Sequence, residues 1–227
     1  MDEELLPRNT SAPRGWHSRG YLPHFDAGSE RSQFVTFRLA DSLPEEVVRV
    51  WLAEVEAQPE TKRKSELRNR IEAFLDRGHG ECHLRNPQVG SLVQSALLHF
   101  DDDRYDLHAW VVMPNHVHVL FTPKPEVSLS RVVQSWKSYT SKEANKLLHR
   151  VGQFWMEEYF DRFIRDERHY FSTVEYIEAN PVSAGLCERP DDWPFGSARW
   201  RTAAGSSHAM PLGTAGVPPA LLPATEG

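Results

Sequence analysis

The chain has 227 residues, a formal net charge of −6, and 40% hydrophobic and 26% charged residues. That length supports one substantial core, and the composition is that of an ordinary globular domain, which excludes a wholly disordered protein. The longest apolar runs, 109–113 and 117–121, fall far short of the roughly 20 residues of a membrane helix. The start Met1-Asp2-Glu3-Glu4 lacks the basic and apolar character of a secretory leader, so a cytoplasmic location is expected.

Residues 1–30 are rich in Pro, Gly, Ser and Arg, with Trp16, Tyr21 and Phe25 at no regular period, and read as an arm that packs on a domain. Gln33 to Leu39 nearly alternates apolar and polar residues, the pattern of a half-buried strand. Asp41-Ser42-Leu43-Pro44-Glu45-Glu46 is a helix start with Ser42 as the cap, and the helix runs to about Ala57. A charged helix follows from about Lys62 to Asp76, stopped at Gly78-His79-Gly80, and then a helix over 87–100. Tyr105 to Val112 and His116 to Phe121 form a strand pair about the Pro114-Asn115 turn. Leu129 to Arg150 is a long helix capped by Ser128, Phe160 to Ile164 a strand, and Asp166 to Asn180 a helix stopped by Pro181. The domain thus spans 31–200, and the Ala, Gly, Pro, Ser and Thr of 201–227 make a disordered tail.

Two cysteines, Cys82 and Cys187, are too few for a disulfide scaffold, and Cys82-His83 lacks a second pair to complete a zinc site. The acidic balance argues against a uniformly basic nucleic-acid binder, so DNA contact must be local. Two stretches are locally basic. Arg131 to Arg150 has Arg131, Lys137, Lys142, Lys146 and Arg150 against Glu143, and Thr61 to Arg70 has Lys62, Arg63, Lys64, Arg68 and Arg70 against Glu66. Each is either a solvated helix face or a track for phosphates.

His116-Val117-His118 places two imidazoles on one face of a strand, within about 7 Å of each other. That spacing suits capture of one metal ion, and equally two hydrogen-bonded strand histidines; alone it does not choose among metals. Its setting, Trp110-Val111-Val112-Met113-Pro114-Asn115-His116-Val117-His118-Val119-Leu120, resembles the signature of the single-tyrosine HUH transposases. The resemblance extends over Tyr21-Leu22-Pro23-His24-Phe25, over 34–39 and over 176–186, roughly residues 15–200. Together these look like the REP-associated tyrosine transposases, related to insertion-sequence-200-type transposases.

This resemblance implies an α+β fold, a ferredoxin-like antiparallel sheet with helices packed on one face. It implies His116 and His118 as metal ligands, Tyr176 as the nucleophile and Asn180, one turn later on the same helix face, as the amide that completes the metal shell. Without the resemblance Tyr176 reads as a core aromatic and Asn180 as a helix terminator. The implied activity is Mg- or Mn-dependent cleavage and rejoining of single-stranded DNA at hairpin-forming repeats, through a 5′-phosphotyrosine link. A bound metal ion would neutralise and polarise the phosphodiester, since a phenol of pKa about 10 is a weak nucleophile at neutral pH.

Tyr139, followed at the fourth place by Glu143, is the rival nucleophile. Lys137, Lys142 and Lys146 are candidates for DNA phosphates, and Arg19 and Tyr21 for gripping a folded strand. A monomer is favoured over a homodimer, in a cytoplasmic, nucleoid-associated setting. Two other functions remain open: a repeat-DNA-binding protein that no longer cuts, and a zinc hydrolase using the same histidines.

Overall fold

In the computed structural model, residues 15–18, 23–26 and 31–205 are described. The first two segments are β1 (Gly15–Ser18) and β2 (Pro23–Asp26), an antiparallel pair, with β2 lying against the last strand of the main sheet. Arg19 and Tyr21 lie outside the described residues.

The main sheet has β3 (Gln33–Leu39), β4 (Tyr105–Val112), β5 (His116–Pro123) and β6 (Trp155–Phe163), in the order β4-β5-β3-β6 and antiparallel throughout. The helices are α1 (Glu45–Glu56), α2 (Glu60–Leu75), α3 (Pro87–Leu98), α4 (Leu129–Leu147), α5 (Glu167–Ser183) and α6 (Ser197–Gly205). The expected α+β fold with its antiparallel sheet is therefore present.

Alternation along the strands sorts side chains into two cores. On one face Val35, Phe37, Leu39, Val117, Val119 and Phe121 meet Val93 and Leu97 of α3 and Val132, Val133 and Trp136 of α4. Each such side chain, fully buried, contributes roughly 1.5–3 kcal/mol. Trp136 anchors this face edge-on to Phe121 and Tyr105 at 5.0 and 5.1 Å, and its indole N–H donates to the Tyr105 hydroxyl at 2.9 Å.

The other face carries Phe34, Ala109, Val111 and Leu120 against Ile177, Val174 and Tyr170 of α5. It also carries α1 and α2, which share a small core around Val55 and Leu67 and join the sheet at Phe160. Because both faces are covered, β3 is buried at every residue, not half-buried as its alternation suggests. Its polar positions, Thr36 and Arg38, point into the second face, where the histidines of β5 lie opposite them.

Three local expectations are corrected. Ser42 does not cap α1, whose N-cap is Pro44; its hydroxyl instead donates to the Leu39 carbonyl at 2.7 Å. Pro181 does not stop α5, which continues to Ser183. The stop is Gly185 at φ +68: its N–H bonds the Val182 carbonyl and the Leu186 N–H bonds the Pro181 carbonyl, the paired bonds of a left-handed helix end. Asn180 is consequently an interior helix residue, 3% exposed, and not a terminator.

The domain does not end at 200 either. Residues 193–201 strap α5 to the free edge of β4: the Trp193 indole donates to the Val112 carbonyl, Val112 N–H to the Phe195 carbonyl, and Ser197 and Arg201 both bond Glu178 of α5. The remainder of the expected tail, 206–227, lies outside the described residues.

Candidate active site

His116 and His118 open β5 directly after the Met113-Pro114-Asn115 turn, so the strand's two-residue period sends both rings to the α5 face. Both are fully enclosed, at 1% and 0% exposure. Their Nε2 atoms stand 3.1 Å apart. The Asn115 side chain donates through Nδ2 to the His79 carbonyl at 2.9 Å, which turns its Oδ1 toward His116 Nδ1 at 2.7 Å. An amide oxygen only accepts, so His116 carries its proton on Nδ1 and presents a lone pair at Nε2. His118 Nδ1 is engaged by the Thr36 hydroxyl at 2.7 Å, which leaves its Nε2 facing that of His116. Burial pushes the His116 imidazole down to about 3, and burial with the neighbouring His116 pushes His118 well below its ordinary value. Both rings are neutral ligands at physiological pH.

A third donor comes from an unexpected place. Asp76, at the C-terminal end of α2, puts Oδ1 3.6 Å from His116 Nε2, and one ligand atom from each of Asp76, His116 and His118 lies within 4.8 Å of the others. Since His116 is neutral, this contact is not an ion pair. Asp76 Oδ1 is buried without a hydrogen-bond partner, and burial raises the carboxyl to about 6.

Tyr176 stands beside this group. Its ring is 5.4 Å from that of His118 and 6.0 Å edge-on from Phe34, and Phe34 stacks on His118 at 5.5 Å. Burial, with the Glu72 and Asp76 carboxylates adding to it, holds the Tyr176 phenol far above its ordinary value. Arg68 and the nearby Asn180 amide act against this. Asn180 Oδ1 is a second buried oxygen with no partner.

These residues fit a divalent cation. Two bonds of about 2.1 Å meeting near a right angle set their nitrogens about 3.0 Å apart, close to the observed His–His gap. Two neutral imidazoles with an orphaned carboxylate oxygen form a mixed N/O donor set. His116, His118 and Asp76 are the residues brought together that can hold the ion.

The other expected residues are elsewhere. Lys137, Lys142 and Lys146 ride on α4, on the opposite face of the sheet from the histidines. Lys137 Nζ donates to the Met156 and Glu157 carbonyls at 2.6 and 2.7 Å, and burial lowers it to about 8. Lys146 pairs with Glu143, and Lys142 is exposed. A cleft of about 720 Å³ between α4 and β6 is lined by Lys137, Ser138 and Tyr159 and contains neither histidine. The rival Tyr139 is also on α4, 54% exposed. Cys82 spends its thiol on the Gly78 carbonyl and joins no metal cluster among the described residues.

Asp76, Thr36, Phe34 and the amide of Asn115 were not legible as site residues. The Pro114-Asn115 turn gave a positional hint for Asn115, and nothing in the local pattern marked Asp76.

Residues 90–180, which include both histidines, Tyr176 and Asn180, match the family model described as "Transposase IS200 like". That segment, 91 of the 227 residues, is similar to the IS200-like transposases. A REP-associated tyrosine transposase of Escherichia coli (strain K12) is 29% identical over 108 residues, which make up 46% of this chain and 61% of that protein. The match thus spans less than two thirds of the relative. The fold of a REP-associated tyrosine transposase solved bound to a REP hairpin matches with a TM-score of 0.50 at 20% identity, over 83% of this chain and 86% of the other. That likeness supports the fold. No helix among the described residues is long and apolar enough to cross a membrane.

Proposed function

We propose that this protein is an IS200-like transposase that cleaves and rejoins single-stranded DNA at hairpin-forming repeats, with Tyr176 as the nucleophile. The observation that carries this reading is the convergence of Tyr176 on the His116–His118 pair, with its ring 5.4 Å from that of His118. Mg or Mn bound by His116, His118 and Asn180 would supply charge neutralisation and polarisation of the phosphoryl group. In the reaction the Tyr176 oxygen bonds to phosphorus and the bond from phosphorus to the 3′-oxygen breaks. The phenolic proton ends on the released 3′-hydroxyl, so the phosphotyrosine link conserves the bond for rejoining.

The fixed residues divide the remaining work. Phe34 and His118 form a platform that holds the Tyr176 ring. With no cation the phenol stays protonated, which ties nucleophilicity to occupation of the site. All these groups lie on one chain, and the 193–201 strap fixes α5 against its own sheet, which supports a monomer acting in cis. Lys142 and Lys146, far from the cut, suit only phosphates of a long flanking duplex. A DNA substrate places the protein in the cytoplasm, at the nucleoid.

The test is incubation of a labelled single-stranded hairpin with Mg or Mn, followed by mass spectrometry of the covalent adduct. Linkage at Tyr176 is expected. Tight hairpin binding with no adduct would establish a binding protein instead, and turnover unaffected by Tyr176→Phe a metal hydrolase.

A further inference from the structure

We propose that Arg162, Arg68 and His169 form a phosphate pocket beside Tyr176 that grips a DNA phosphate other than the one being cut. This rests on the reading of the protein as a single-stranded DNA transferase.

Arg162 of β6 pairs directly with Phe34 of β3, so its side chain emerges on the same face as Phe34, which touches both His118 and Tyr176. Two residues back on β6, Phe160 meets Phe34 edge-on at 6.2 Å and carries the Arg68 guanidinium of α2 over its ring at 5.6 Å. His169 enters from the first turn of α5. It precedes Tyr176 by seven residues, two helical turns or about 10 Å along the axis, on the same side of the helix.

Two buried donors in this patch have no acceptor among the described residues. Arg162 Nε is enclosed and unpartnered among the described residues. His169, 8% exposed, receives the Arg165 backbone N–H at its Nδ1, at 3.2 Å. Accepting there fixes the proton on Nε2, and that N–H is also buried without a partner. An unmade hydrogen bond from a buried donor costs about 1–3 kcal/mol, so a patch that holds two is short of one anion.

The charge around it has the matching sign. After burial, Arg162 and Arg165 depress the His169 imidazole, and Arg68 and Arg165 depress Arg162, so the three guanidiniums share one locality. Two carboxylates share this locality: Glu72, which lies 3.8 Å from Arg68 and also acts on Arg162, and Asp166, which accepts the His169 backbone N–H as the cap of α5. Guanidinium and imidazole donors converging on one point are the chemistry of phosphate recognition.

The experiment is a titration of isotope-labelled protein, following the His169 Nε2–H by nuclear magnetic resonance. Inorganic phosphate is added first, and a short single-stranded oligonucleotide to a second sample. Both are expected to move the signal. Arg162→Gln is expected to abolish the phosphate response, weaken oligonucleotide binding about tenfold and lower the salt slope of binding by about one, whereas Arg162→Lys retains part of each. A His169 signal unmoved at saturation overturns the proposal, as does movement by phosphate but not by the oligonucleotide, or an unchanged salt slope in Arg162→Gln. Adduct formation, measured on the same samples, separates the two readings. An adduct with an inert His169 removes the pocket and leaves the transferase, and a responsive His169 without adduct does the reverse.

Discussion

Asp76→Asn should make the metal-free protein more stable at neutral pH and less responsive to metal. The carboxyl is raised from 3.8 to about 6 by burial, and its Oδ1 has no hydrogen-bond partner. A group whose folded pKa is raised binds its proton more tightly when folded. Its contribution is fully present below the unfolded value near 4 and is lost as pH rises through about 6. Two pKa units correspond to about 3 kcal/mol. The side chain is 32% exposed, so solvent screening reduces this to about 1–2 kcal/mol. In chelator, urea melts should therefore show Asp76→Asn more stable than wild type by about 1–2 kcal/mol at neutral pH and equal to it near pH 4. Saturating Mn should reverse the order, because an ion at about 100 times its Kd adds about 2.7 kcal/mol to the protein that binds it and less to a variant with a weaker ligand. A variant less stable than wild type in chelator at neutral pH would refute the reasoning, by showing that the carboxylate makes a favourable native interaction. An identical Mn response would show that Asp76 is not a ligand.

Four further outcomes are expected. Tyr176→Phe should lose all covalent adduct in a denaturing gel while binding Mn by calorimetry as wild type does, since the hydroxyl is not a ligand of the proposed shell. Asn115→Ala removes the acceptor that sets the His116 tautomer and should weaken Mn binding by about 10–100-fold, read by the same calorimetry. Gly90→Ala places a Cβ 2.7 Å from the Phe195 ring and 3.0 Å from the Leu84 carbonyl, and should cost about 1–3 kcal/mol in chemical denaturation. Gly185→Ala meets no atom but is held at φ +68, so only backbone strain of about 1–2 kcal/mol should appear, with the adduct yield preserved.

Elements with strong periodicity were legible: the α3 and α4 stripes and the β4–β5 pair fall where their apolar spacing places them. What stayed hidden depends on long-range packing. A bulge near His108 shifts the register of β4, so Tyr105 and Leu107 face the same core as Trp110 and Val112, and strict alternation misassigns half the strand. Pro181 reads as a stop because local rules charge it the full cost of a lost N–H, but the glycine-based bonds four residues later set the real end. The His116–His118 pair was legible from the two-residue period of a strand, whereas Tyr176 and Asn180 were singled out only by the family resemblance, their four-residue spacing alone being that of ordinary helix packing. Asp76 reaches the same point from a helix forty residues earlier in sequence than His116, a distance over which no pattern operates.

The net charge of −6 looked like an objection to DNA binding, and the fold shows why it is a poor guide. Arg68, Glu72 and Asp76 follow one another at four-residue steps, so α2 lays a cation, then two carboxylates, along one face toward the histidines. Asp76 lies by His116, whereas Arg68 sits over Phe160 and near Arg162 and Arg165, by the first turn of α5. The site is therefore polar along its length: anionic where a cation would be held and cationic where a strand's next phosphates would lie. A net charge summed over the chain hides this arrangement, whereas a polyanion threading the site would meet the charges one at a time.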